Sequence, residues 1–227
     1  MKIAKMNSCY YFFVFFVFCV LVSSSFGSDK MGEKIIYDID PAGTSQYDDM
    51  GVKEFQGQKV NVAAFKTTVL GFNDGELIYS DPNNFLPLRV ERKISWPFKK
   101  EHIIESYDQV NFTNTITKYK KGKFASKQII KDKGPIHNAI LLPFSLRRVA
   151  DLKIGQTFKV RLLKHFDVKL VSIEEIEVPA GKYRCYHFTS IPHKFDIWIT
   201  KDDLRIPVKI KGMGGIGYTM SMKAYIP

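Results

Sequence analysis

Apolar and polar residues alternate along much of the chain between positions 85 and 226, and this pattern constrains the fold more than any other feature. Phe158, Val160 and Leu162, for example, alternate with Lys159 and Arg161. Successive side chains of a β-strand point to opposite faces. The pattern therefore predicts antiparallel strands with one buried and one solvated face.

Turn-forming sequences divide these runs into about ten or eleven predicted strands, joined mainly as hairpins. The predicted turns are Asn73-Asp74-Gly75, Asp81-Pro82-Asn83-Asn84, Lys121-Gly122, Pro179-Ala180-Gly181 and Lys201-Asp202-Asp203. Residues 171–178 lose the alternation at Glu174-Glu175, which indicates a bulge or a turn. Residues 41–58 show little pattern, and we expect loops or an irregular edge there.

One stretch, residues 136–152, is apolar at both odd and even positions and is followed by Gly155. We predict a short helix from about Phe144 to Ala150, with a looser turn before Pro143. The fold class expected from all these patterns is mainly β. It is a large antiparallel meander sheet, curled into a half-barrel or open barrel, with one short helical segment.

The first 28 residues have the organisation of a secretory signal peptide. Lys2 and Lys5 precede thirteen consecutive apolar or aromatic residues at positions 10–22, and the small residues Ser25 and Gly27 follow. The apolar run is shorter than the roughly 20 residues that a membrane span needs. We therefore predict that residues 1–28 are cleaved and that residues 29–227 form a single β domain. The expected location is the periplasm of a Gram-negative host, in soluble form.

The remaining chain is basic, with a formal net charge of +9 after residues 1–28 are removed. A basic exported protein favours anionic neighbours such as lipid head groups or acidic polymers, and nucleic acid is not an expected partner in that compartment. Four lysines of one predicted hairpin could contact an anionic membrane surface: Lys118, Lys120, Lys121 and Lys123. The alternative is a solvated edge strand whose lysines prevent aggregation.

No motif indicates catalysis, a metal or a cofactor. Residues 212–217 match the dinucleotide fingerprint G-x-G-x-x-G, but an alternating strand follows where such a site requires a helix. The five histidines lack metal-ligand spacing, and Cys185 is the one cysteine outside the predicted signal peptide. We therefore predict a protein that is not an enzyme and that has no cofactor.

The candidate ligand-binding residues follow from strand parity. On a curled sheet, alternate residues of two predicted strands can point inward together: Arg92, Trp96, Tyr218, Met220 and Met222. Aromatic rings and methionines suit an apolar guest, and Arg92 could hold its anionic head group. The competing interpretation is that these side chains fill the core and that Arg92 pairs with an internal carboxylate such as Glu105.

Four segments together resemble a known family. They are residues 80–92 (SDPNNFLPLRVER), 152–158 (LKIGQTF), 178–185 (VPAGKYRC) and 197–208 (IWITKDDLRIPV). In order and spacing they resemble the bacterial exported proteins grouped as domain of unknown function 3108, over roughly residues 34–226. The resemblance implies an antiparallel half-barrel similar to the lipoprotein carriers. It implies no activity, and the family supplies no catalytic residues.

The first functional hypothesis is a non-catalytic periplasmic protein that binds an amphiphile, such as a lipid, or an acylated protein. The alternative is an envelope assembly or interaction module that binds a protein or an anionic polymer through a basic face. A hydrolase assembled from distant residues is the third hypothesis. Histidine, aspartate and serine side chains gathered in one cleft would favour it.

Overall fold

The computed structural model describes residues 32–213 and 217–227, which form fourteen strands and one α-helix. The strands are β1 (Lys34–Asp40), β2 (Thr44–Phe55), β3 (Gln58–Val69), β4 (Phe72–Ser80), β5 (Pro87–Trp96), β6 (Lys99–Asp108), β7 (Thr113–Lys120), β8 (Lys123–Lys131), β9 (Thr157–Arg161), β10 (His165–Val178), β11 (Gly181–Ile191), β12 (Phe195–Thr200), β13 (Pro207–Gly212) and β14 (Tyr218–Ile226). The helix α1 is Leu142–Leu146. The predicted signal peptide, residues 1–28, lies outside the described residues.

All fourteen strands belong to one antiparallel sheet in which neighbours in space are neighbours in sequence, apart from one pair. That pair is β1 with β14, which brings the two ends of the described chain together in the middle of the sheet. The two edges are β8 and β9, and the chain between them contains α1. The predicted mainly β fold, a large antiparallel meander with one short helical segment, is thus confirmed.

The sheet curls but does not close through strand pairing, and the segment that follows β8 bridges its two edges. Asp132 bonds the Arg161 guanidinium, and the backbone N–H of His137 donates to the Arg161 carbonyl at 2.6 Å. His137 Nδ1 in turn accepts a hydrogen bond from the Arg161 N–H at 3.2 Å. A polar segment therefore covers the gap, which protects the edge strand β9 from pairing with other chains.

The helix α1 packs on one face of the sheet, here called the inner face. Its side chains Leu142, Phe144 and Leu146 are buried, and the Phe144 ring stacks on Tyr47 of β2 at 3.8 Å between centroids. Phe144 joins a core cluster formed mainly by β1 to β5, β13 and β14, with single residues from β10, β11 and β12, whereas Leu142 and Leu146 join a second cluster with β9 to β12. One helical turn thus links both halves of the core.

The predicted helix boundaries were wrong, since α1 begins before Pro143 and ends at Leu146. Proline is tolerated in the first turn of a helix because its missing N–H would have no intrahelical partner there. Asn138 starts the turn that precedes the helix, as its Oδ1 accepts hydrogen bonds from the N–H groups of Ile140 and Leu141 at 2.8 and 3.1 Å.

The strand count was too low, partly because residues 41–58 contain a long strand instead of the expected loops. The strand β2 lies between β1 and β3, and its buried face carries Ser45, Tyr47 and Asp49. Two of these three residues are polar, so apolar alternation did not reveal the strand. The Asp49 carboxylate is satisfied locally, since Oδ1 accepts a hydrogen bond from the Gly51 N–H at 2.8 Å.

Three further predictions about the strands need correction. Asn73-Asp74-Gly75 lies inside β4, and the turn is at Leu70-Gly71. The irregularity of β10 falls between Leu170 and Ser172 rather than at Glu174-Glu175. The strand β12 is buried on both faces, because Asp196, Trp198 and Thr200 are as enclosed as the apolar residues between them.

The fingerprint at 212–217 leads into β14, as expected, although residues 214–216 are outside the described part.

Candidate ligand cavity

A cavity of about 340 Å³ lies between the inner face of the sheet and the segment around α1. The strands β1, β3 and β14 contribute most of its apolar wall: Tyr37, Ile39, Phe65, Val69, Tyr218 and Met220. Ala139, Ile140 and Phe144 cover it from the helical side. Its polar end consists of Thr67, Asp74, Glu76 and Arg92. An apolar cavity with a few convergent polar groups is the usual form of a small-molecule site.

Three of the five predicted site residues line this cavity, namely Arg92, Tyr218 and Met220. Met222 does not line it, because its side chain is 1% exposed within the core cluster beside β1. Trp96 lies at the far end of β5, where its ring is 49% exposed and packs against Phe72 at 4.6 Å.

The Arg92 guanidinium is already neutralised by carboxylates of β4. Its Nε lies 2.9 Å from both carboxylate oxygens of Asp74, Nη2 also bonds Asp74, and Glu76 Oε1 is 3.3 Å from Nε. The expectation of an internal ion pair is thus met, but with Asp74 and Glu76 as the bonded partners instead of Glu105. Glu105 accepts hydrogen bonds from Tyr107 and, at 3.3 Å, from Asn114 Nδ2.

Burial gives Glu76 unusual acid–base behaviour. Desolvation raises its pKa from 4.5 to about 7; Arg92 opposes this, while the negative charges of Asp74 and Glu105 add to it. The hydrogen bond to Asp74 raises the pKa of Arg92, so the guanidinium stays charged. The polar end of the cavity therefore carries a charge of about zero when Glu76 is protonated and about −1 when it is ionised.

A second cavity of about 200 Å³ shares Glu76 and Arg92 with the first and continues toward β6 and β7. Asn114 lines it and is 5% exposed. Its Oδ1 has no hydrogen-bond partner among the described residues. Burial, with the Glu105 charge adding to it, raises the pKa of Tyr107, so the Tyr107 hydroxyl remains a neutral donor. The two cavities thus flank one polar cluster.

A wider groove of about 540 Å³ runs along β2 to β5 and is lined largely from the face opposite the cavity. Its rim carries charged side chains such as Asp48, Lys66, Glu91 and Lys93. Lys34 already pairs with Asp48 at 3.4 Å, and Arg89 pairs with Glu91 at 2.9 Å. Such a groove resembles a solvated sheet surface, so the apolar cavity, which is less open to solvent, is the better candidate site.

Sequence reasoning missed Asp74 and Glu76, which define the polar end of the cavity. Asp74 was assigned to a turn because Asn-Asp-Gly is a strong turn sequence. The parity of β4 could have revealed both carboxylates, because Asp74 and Glu76 alternate on the face of Ile78, which is fully buried. A buried carboxylate needs a partner, and Arg92 lies directly opposite Glu76 on β5.

A serine, a histidine and an aspartate do meet on β10, β11 and β12. Ser172 Oγ lies 3.4 Å from His187 Nδ1, and His187 Nε2 lies 3.2 Å from Asp196 Oδ1. The imidazole also stacks on Trp198 at 4.4 Å, and Glu174 Oε1 lies 3.4 Å from Nδ1. Glu174 accepts hydrogen bonds from both Ser172 and Trp198. The serine is thus one donor in a carboxylate network, which does not present it as an activated nucleophile.

Residues 49–223 match the family described as "Protein of unknown function (DUF3108)". This match spans most of the chain. The chain belongs to the DUF3108 family. Membership confirms the resemblance noted in the sequence, and the family description names no activity.

A solved structure shares the fold of this DUF3108 protein. It is the beta-barrel-like protein of domain of unknown function DUF1849 from Brucella abortus, with a TM-score of 0.52 and 10% sequence identity. The similarity covers 86% of this chain and 97% of that one. At this identity it concerns the fold alone. No curated protein matches the chain.

The described part of this DUF3108 protein has neither a helix suited to span a membrane nor a cluster of side chains suited to bind a metal ion. Residues 32–213 and 217–227 contain no helix with the length and apolarity that a membrane span requires. The same residues contain no group of three or more His, Cys, Asp or Glu side chains placed to hold a metal ion.

Proposed function

We propose that this protein is a non-catalytic binding protein of the exported compartment, which holds the apolar part of an amphiphile in the cavity beneath α1. The observation that carries the proposal is the cavity itself, with ten apolar side chains, Ile210 of β13 among them, from strands and helical segment around one charged cluster. Its volume of about 340 Å³ lies within the usual range for small-molecule sites, about 300–1,000 Å³.

The apolar wall, and not Arg92, is the main source of affinity in this proposal. Burial of apolar surface contributes about 25 cal/mol per Å², whereas the Arg92 charge is already compensated by Asp74. A carboxylate or phosphate head group would therefore gain less from Arg92 than its position in the sequence suggests. We expect neutral and anionic amphiphiles with the same chain to bind with similar affinity at pH 7.

The proposal is tested by titrating the protein with a fluorescent fatty acid and with its neutral methyl ester. A matched pair of variants locates the site. Ala139→Phe adds a ring at an exposed position that lines the cavity, while Ala150→Phe adds the same ring at an exposed position outside it. We expect saturable binding by the wild-type protein, at least tenfold weaker binding by Ala139→Phe, and unchanged binding by Ala150→Phe.

Two results would contradict the proposal. The absence of saturable binding of either probe to the wild-type protein would remove the cavity as a ligand site. Equal affinities of the two variants would place the ligand elsewhere. Thermal unfolding of each variant serves as the folding control.

A further inference from the structure

Three neighbouring hairpin turns project from the same end of the sheet, here called the tip end. They are Leu70-Gly71 between β3 and β4, Pro97-Phe98 between β5 and β6, and Lys121-Gly122 between β7 and β8. Strand pairing places them side by side, since β4 and β5 pair in register up to the first two turns. The first two turns touch, because Pro97 Cγ lies 3.7 Å from the position that a Cβ on Gly71 would take.

The tip end exposes large apolar side chains where hairpin turns usually carry small or polar residues. Phe98 is 99% exposed and Leu70 is 89% exposed, and Trp96 beside them is half exposed. None of the three belongs to either core cluster of the described residues. Phe98 and Leu70 therefore form a protruding apolar point, beside which the Trp96 ring packs on Phe72.

Lysines surround this apolar point. Residues 97–101 and 118–123 together contain six lysines and one glutamate, a net charge of +5. The glutamate, Glu101, is shared by Lys99 at 3.0 Å and Lys118 at 3.8 Å. Lys100, Lys120 and neighbouring lysines therefore keep their charge available to an external anion. Asp40, the last residue of β1, is an exposed acid at the same end.

We propose that the tip end docks on an anionic lipid bilayer, with Phe98 and Leu70 entering the head-group region and the lysines contacting lipid phosphates. Single exposed side chains on projecting turns suit a soft lipid surface, whereas a protein interface usually has a packed apolar core. Each basic residue near an anionic lipid surface adds to the electrostatic attraction. Long lysine side chains reach the phosphates while an apolar neighbour inserts.

The position of the cavity agrees with this docking surface. Val69, which lines the cavity, directly precedes Leu70, and Ile39 and Tyr218 line it from the adjacent ends of β1 and β14. The cavity therefore reaches the end of the sheet that would face the bilayer. Membrane docking goes beyond the proposed ligand binding and does not depend on it.

The test is co-sedimentation of the protein with large vesicles of phosphatidylcholine alone and of phosphatidylcholine with phosphatidylglycerol at 3:1. We expect binding to the anionic vesicles only, weakened at high salt. The double variant Leu70→Ser/Phe98→Ser should lower the partition coefficient at least tenfold. Lys121→Glu should lower it severalfold at low salt.

The matched controls lie at other turns. Val110, on the β6–β7 turn at the opposite end, is 86% exposed, so Val110→Ser removes a comparable apolar side chain. Lys201, exposed on the β12–β13 turn at the opposite end, gives Lys201→Glu as the charge control. Both controls should bind vesicles like the wild-type protein, and all these side chains are exposed enough for the variants to fold.

Three outcomes would overturn the proposal. The first is no binding to anionic vesicles, and the second is an equal loss in Val110→Ser and in the Leu70/Phe98 double variant. The third is binding of soluble heparin as tight as vesicle binding and independent of Phe98, which would assign the basic surface to an anionic polymer.

Discussion

The acid–base state of Glu76 gives a prediction whose size follows from the cavity geometry. We expect Glu76→Gln to stabilise the protein at pH 8 and to leave its stability nearly unchanged at pH 4. Glutamine is close in shape to the protonated glutamic acid, so the variant keeps the packing at the polar end of the cavity. The Arg92–Asp74 pair remains intact beside it.

The size of the expected stability change follows from the difference between the pKa of Glu76 in the folded protein, about 7, and its ordinary value of 4.5. At about 1.4 kcal/mol per pKa unit, this difference corresponds to about 3 kcal/mol. The sign follows from linkage. Below pH 4.5 the side chain is protonated in both states, and as the pH rises to 7 the unfolded state loses its proton first, so the folded state is destabilised.

The assay is urea unfolding at pH 4, 6 and 8, followed by tryptophan fluorescence, because Trp198 is buried and reports on the core. The stability difference between Glu76→Gln and wild type should grow from near zero at pH 4 to about 3 kcal/mol at pH 8. Glu175→Gln, at an exposed position of β10, is the matched control and should stay within about 0.5 kcal/mol.

A destabilisation of Glu76→Gln at pH 8 would refute this reasoning. It would mean that Arg92 requires the Glu76 charge in addition to that of Asp74, and that attraction outweighs desolvation at this position. If Glu76→Gln raised the stability equally at all three pH values, better packing would instead be the cause.

Further predictions concern the buried ion pair, the cysteine and the N-terminus. Arg147 lies 2.6 Å from Glu33 and both are nearly fully buried, so Arg147→Ala should cost about 3–5 kcal/mol in urea unfolding; a loss under 1 kcal/mol would contradict this. Burial raises the pKa of Cys185 to about 12, so a thiol reagent at pH 8 should label the native protein at least tenfold more slowly than the unfolded protein. Cys185→Ala should cost about 1 kcal/mol, since the residue is fully buried; unchanged stability would argue against a structural role. N-terminal sequencing of exported protein should begin between Ser28 and Lys30, and recovery of an intact Met1 would exclude signal cleavage.

Periodicity in the sequence was sufficient for the fold class, because a repeat of two residues is a local property of a half-buried strand. Where one face is polar even though buried, as in β2 with Ser45 and Asp49, the same argument fails. Alternation also misled in β12. The residues Asp196 and Trp198 were predicted to face solvent because they alternate with apolar residues, but both faces of this strand are buried.

Strand parity was likewise sufficient for only some of the candidate site residues. Parity alone placed Arg92, Tyr218 and Met220 on faces that could meet, and all three line the cavity. Parity could not separate them from Met222, which is packed in the core, or from Trp96, which lies at the strand end.

What the sequence determined by itself is therefore the strand-forming pattern, the family and the inward parity of single residues, since each depends on neighbours along the chain. Three other features became known only from the tertiary structure: β1 pairs with β14, the segment around α1 covers a cavity, and Asp74 neutralises Arg92. Those features join residues far apart in sequence. These features are stabilised by burial of side chains and by charge pairing across the sheet. Both depend on partners from distant parts of the chain, which a local sequence pattern does not specify.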